Sequence, residues 1–114
     1  MATSGSGTPA PSVSSFDGVS MQIITTKLNR SNYLLWAQAM KVALGDRKKF
    51  KFITFDAFGK DSKEYEDWVF DNYMVISWLW NSMEPSIASS VMFLSSAKTI
   101  WESIRETFSM DKNV

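Results

Sequence analysis

Three acidic pairs, Glu64/Asp67, Glu66/Asp67 and Glu102/Glu106, have the residue types and spacing for general acid–base work. The chain contains no His and no Cys. Thiolate nucleophiles, Ser-His triads and the usual zinc ligands are therefore excluded, and no conspicuous glycine loop lies beside the acids. The pairs read instead as charge on helix starts and solvated faces, so no enzyme, catalytic residue, metal or cofactor is expected. Arg47, Lys48, Lys49 and Lys51, interleaved with Phe50 and Phe52, offer phosphate contacts with base stacking. The same residues also describe a solvated loop whose phenylalanines pack inward, and that reading is preferred. Residues 41–51 carry a local charge of +4, from five cations against Asp46. Residues 61–71 carry −4, from five acids, Glu64, Glu66 and Asp67 among them, against Lys63. Such blocks can pair within one chain or between copies. Trp78 joins Arg47, Lys48, Lys49, Lys51 and the three acids as a candidate interface residue. It stands two residues from Trp80, about 200° away around a helix, so one of the two is expected at a surface.

Helices must position these groups. The first is predicted from near Ser31 to Leu44, with Asn29 or Ser31 supplying the N-cap oxygen and Gly45 at the C′ position. Its apolar stripe is Tyr33, Trp36, Met40, Ala43 and Leu44. The connector 46–60 reads as mostly irregular. The second and longest helix is predicted from Ser62 to Ser82, capped by Asp61 or Ser62. Tyr65, Trp68, Val69, Tyr73, Ile76, Trp80 and Met83 form its stripe, widened by Phe70, Val75, Trp78 and Leu79. Pro85 stops that helix and opens a third of about nine residues, with Ile87, Val91, Phe93 and Leu94 as its apolar set. A fourth runs from Ala97 to about Phe108 behind a Ser95 or Ser96 cap, with Ile100, Trp101, Ile104 and Phe108 on one side. Trp36, Trp68, Trp80 and Trp101 are read as core. Residues 21–26 have β-branched character and read as a short strand or an extended segment.

The domain organisation is a Ser/Gly/Pro-rich tail over residues 1–20, expected to be disordered, a helical domain over 21–110 and the start of a linker over 111–114. Hydrophobic residues make up 45% of the 114 and aromatics 14%, enough for one real core. Twelve basic and twelve acidic residues cancel, a poor balance for strong nucleic-acid binding and one that favours self-association. No apolar run approaches a membrane span, and the start lacks the pattern of a signal peptide. A reducing compartment, cytoplasmic or nuclear, fits the lack of Cys.

The run Leu28-Asn29-Arg30-Ser31-Asn32-Tyr33-Leu34-Leu35-Trp36 resembles the "L-N-G-x-N-Y-x-x-W" opening of the Gag protein of plant copia-type LTR retrotransposons. Arg30 stands where that pattern has glycine. Tyr65-Glu66-Asp67-Trp68 with Asn72 to Leu79 resembles the family's second block. Asn81 to Ile87 with Ser96 to Trp101 resembles its third. Leu28, Asn29, Tyr33, Trp36, Trp68, Ile76, Trp80, Ile100, Trp101 and Ile104 are thus family-signature or core positions. The resemblance implies an all-α bundle of four to five helices, like the retroviral capsid N-terminal domain. It further implies a structural, shell-forming protein whose main partner is itself. RNA would be met indirectly, through a second domain and a zinc knuckle absent from this chain. The other readings are a domesticated module binding a plant host protein, and an RNA-binding domain acting through residues 47–51.

Overall fold

A computed structural model describes residues 22–109, which form four α-helices and one 3-10 turn, with no strand among them. Helix α1 spans Tyr33–Asp46, the 3-10 turn Phe50–Ile53, α2 Tyr65–Trp80, α3 Pro85–Val91 and α4 Ala97–Phe108. The all-α class is as expected. The tail 1–20, Met21 and the linker 111–114 lie outside the described residues.

Two interlocked asparagines set the start of α1. Asn32 Oδ1 accepts the Asn29 amide at 2.8 Å, Asn29 Oδ1 accepts the Ser31 amide at 2.8 Å, and Asn32 Nδ2 donates to the Lys27 carbonyl at 2.9 Å. The N-cap is Asn32, and no side chain bonds into the first turn. Neither Asn29 nor Ser31 therefore caps the helix, because both are spent on the preceding turn. Trp36, Ala37, Met40, Ala43 and Leu44 face the core, while Tyr33 is half-buried.

The end of α1 also departs from expectation. Gly45 lies inside the helix, and Lys48 takes the left-handed position with φ 61°. The Lys49 amide bonds to the Leu44 carbonyl at 2.8 Å and the Lys48 amide to the Gly45 carbonyl at 3.0 Å. This is a Schellman motif with Lys rather than Gly at C′. The helix runs one residue past Gly45 because Asp46 continues it.

No strand forms at residues 22–26, but Ile23 and Ile24 pack against the core, as the alternative reading of that segment has it. The extended contact comes slightly later, as an isolated parallel bridge between Leu28 and Met83. The Leu28 amide donates to the Ser82 carbonyl at 2.8 Å, and the Glu84 amide donates to the Leu28 carbonyl at 2.9 Å. Leu28 is fully buried, so the segment before α1 is stapled to the α2–α3 junction.

Helix α2 starts at Tyr65, with Glu64 at the N-cap. Asp61 does not cap it, and the Ser62 hydroxyl accepts the Glu64 amide at 3.1 Å instead of an amide inside the helix. Its core-facing residues are Asn72, Val75, Ile76, Trp78 and Leu79. Tyr73 and Phe70 face solvent, and Trp68 and Trp80 are half-buried against the core. The stripe predicted through Tyr73 and Trp80 is thus rotated from the one observed, as an almost uniformly apolar helix allows.

Pro85 opens α3 as its first residue. That helix ends at Val91, short of Phe93, which is 81% exposed instead of part of an apolar stripe. Helix α4 has the predicted bounds, and Ser96 caps it by accepting the Thr99 amide at 3.1 Å. Ile100, Trp101 and Ile104 enter the core, where Trp101 stacks on Trp36 at 5.5 Å between centroids. Asn72 secures the α2–α4 contact. Its Oδ1 accepts the Ala97 amide at 2.9 Å and its Nδ2 donates to the Ser95 carbonyl at 3.1 Å.

Candidate assembly surface

The Schellman turn decides where the basic cluster points. Lys49 folds back toward α2, and its Nζ lies 3.6 Å from Asp71 Oδ2, both side chains being half-buried. The +4 and −4 blocks are therefore joined within one chain at this pair. Arg47 bonds the Ala43 carbonyl through Nη1 at 3.1 Å and places its guanidinium 5.8 Å from the Trp78 ring centre. Trp78 is only 4% exposed, so it does not present the open face expected of it. The next turn of α2 carries it inward, and Arg47 lies over its ring.

The aromatics of the cluster divide. Phe52 and Ile53 are buried in the 3-10 turn, Phe52 lying 6.2 Å from Trp68 between ring centroids. Lys51 sits over the Phe52 ring at 5.5 Å. Phe50 and Phe55 remain exposed, and so does Lys48. A stacking platform needs its rings accessible. Phe52 is instead part of the core, as the inward-packing reading has it.

The carboxylates are dispersed along helix surfaces. Glu64, Glu66 and Asp67 are exposed around the start of α2. There acidic charge meets the positive helix end. The Ser62 hydroxyl bonds the Glu64 carboxylate and holds its pKa below the usual range. Glu102 is engaged by Lys98, whose Nζ lies 3.1 Å from Glu102 and 3.2 Å from Asp56. Those two carboxylates, Glu102 first, push the Lys98 pKa up. Among the described residues no group of three or more acidic side chains could hold a metal ion. No described helix is long and apolar enough to cross a membrane.

The remaining residues read from the sequence as signature or core positions lie inside or at the rim. Trp36, Ile76, Ile100, Trp101 and Ile104 are buried, while Asn29 and Tyr33 are half-buried. Burial raises the Tyr33 hydroxyl pKa, and the charge of Arg105 partly opposes it.

Sequence reasoning passed over a second set of residues. On α1, Leu34 and Leu35 are 60% and 66% exposed, and Val42 is exposed with them. On α2, Phe70 and Tyr73 are exposed beside Glu66 and Asp67. The signal for the first group was present, since Leu34, Leu35 and Val42 fall outside the stripe of Trp36, Met40 and Leu44. No such signal marks Phe70, because α2 is apolar nearly all round.

Comparison with known proteins gives one family. Residues 14–55 match the Gag-polypeptide of LTR copia-type. The match reaches from before the described residues through α1 to the connector after the 3-10 turn, and so includes the Leu28–Trp36 run. No curated protein and no solved structure matches the chain.

Proposed function

We propose that this chain is the structural, capsid-forming N-terminal part of a copia-type Gag, in which identical copies assemble into a shell around the element's RNA. The observation that carries this reading is the copia-type Gag match over residues 14–55, whose α1 leaves Leu34, Leu35 and Val42 unpacked on its outer side. A small domain with a closed core has no internal use for these side chains. Large apolar residues left together at a surface mark contact sites. The zero net charge removes the repulsion that would keep copies apart. On this reading the chain does no chemistry, its main partner is itself, and it works in the cytoplasm. The RNA is reached through regions outside this chain.

Sedimentation velocity over a wide concentration range, with electron microscopy of the densest samples, tests the reading. Concentration-dependent oligomers, rings or shells are the expected result. A strict monomer throughout would leave assembly by this chain without support. The domesticated, host-binding reading would then be favoured.

A further inference from the structure

We propose that a second copy of this chain docks α2 antiparallel onto α1, the acidic end of α2 meeting Lys41. This rests on the self-assembly reading above and names its contact. At about 100° per residue, the exposed residues of α1 fall on one arc of about 140°: Lys41, Leu34, Gly45, Gln38, Val42, Leu35 and Asp46 in angular order, Asp46 at its edge and paired with Arg47. The exposed residues within α2, Tyr73, Glu66, Phe70 and Asp67, fall on an arc of about the same width.

The two arcs complement each other along their length. In α1 the leucines are at the N-terminal end and Lys41 lies seven residues later. In α2 the acids are at the N-terminal end and Tyr73 lies seven residues after Glu66. Both spans are about 10.5 Å at 1.5 Å per residue. Laid antiparallel, Lys41 and Val42 lie level with Glu66 and Asp67, Gln38 with Phe70, and Leu34 and Leu35 with Tyr73. Neither Lys41 nor these two acids takes part in an ion pair among the described residues. The other pairings of copies lack this match. An α1–α1 contact leaves Lys41 against apolar side chains, and an antiparallel α2–α2 contact sets the acids against Tyr73.

Because the two surfaces differ, the contact is heterologous and each copy keeps one of each surface free for the next. Such contacts close into rings or continue as open arrays. One helix-on-helix contact belongs at the small end of specific interfaces, so a weak, repeated association is expected.

The test is sedimentation velocity on the full chain and on K41E, E66K, the double variant K41E/E66K, L35S and F70S. All the altered side chains are exposed, and melting temperatures within a few degrees of wild type establish that each variant folds. Association of the wild type is expected, about tenfold weaker in each single charge reversal and largely recovered in the double variant. L35S and F70S are expected to weaken it as well. If the wild type associates while K41E and E66K associate equally well, this docking is overturned and the self-assembly reading stands. If the wild type is monomeric at every concentration, both fall.

Discussion

The indole Nε1 of Trp36 donates a 2.7 Å hydrogen bond to the carbonyl of Ser82, 46 residues away and fully buried. The same carbonyl accepts the Leu28 amide, and the Ser82 hydroxyl bonds the Trp78 carbonyl at 2.8 Å. A single residue at the α2–α3 junction thereby ties together the segment before α1, α1 itself and α2. The Gag-like run Leu28 to Trp36 thus supplies two of the bonds that hold the domain closed.

Trp36→Phe removes the indole donor and part of the ring that stacks on Trp101. A lost buried hydrogen bond and a partly filled cavity together should cost about 2–3 kcal/mol. Urea denaturation should show a lower midpoint with an unchanged slope. A change below about 0.5 kcal/mol would mean that the Ser82 carbonyl does not depend on this donor.

Gly45 and Lys48 should respond in opposite senses to the usual expectation for a helix end. Lys48 holds φ 61°, where a side chain is strained, so Lys48→Gly should stabilise the fold by about 0.5–1 kcal/mol. Gly45 lies within the helix, and a Cβ there meets nothing within 4 Å. Gly45→Ala should therefore stabilise by up to about 1 kcal/mol. Thermal melts of both variants check this. A destabilised Gly45→Ala would return the left-handed position to residue 45.

Asn72 is buried and joins two backbone groups of the α4 start. Asn72→Ala leaves the Ala97 amide and the Ser95 carbonyl without that partner, at a cost of about 2–4 kcal/mol. Hydrogen exchange should accelerate first in α4, where the Ser96 cap remains intact. A loss confined to α2 would show that Asn72 acts through its own helix.

Lys98 links Asp56 in the connector to Glu102 on its own helix. Its folded pKa is raised, so its contribution to stability is full below the unfolded lysine value of about 10.4 and is lost as pH climbs through the higher folded value. The melting-temperature gap between wild type and Lys98→Gln should therefore be constant through neutral pH and close above about pH 10.4. Because Lys98 titrates in contact with solvent, the gap should also shrink in high salt. A gap that stays constant up to pH 12 would assign the loss to packing of the lysine stem.

Some of this fold was legible in local chemistry. Helix α4 alternates apolar and polar residues with a clean helical period, and Ser96 precedes it at capping distance, so its limits follow from neighbours three and four positions apart. Pro85 marks the α2–α3 break for an equally local reason, since it cannot continue a helix but readily begins one. The buried face of α2 was not legible, because Tyr73 and Trp78 are equally apolar and only the packing of α4 and the 3-10 turn chooses between them. The pairing of the charge blocks was likewise open. Its one pair within the chain follows from Lys48 adopting a left-handed conformation that aims Lys49 at Asp71.

By itself, then, the sequence determined the helical class, the limits of α4, the α2–α3 break and the likeness to copia-type Gag, all of which depend on patterns within a few turns of chain. The tertiary structure alone decided that Trp78 lies beneath Arg47, that Asn72 and Ser82 are buried, and that Leu34, Leu35, Phe70 and Tyr73 stay outside. Each of those outcomes depends on residues far apart in sequence competing for the same limited core volume, a contest that periodicity along one helix does not record.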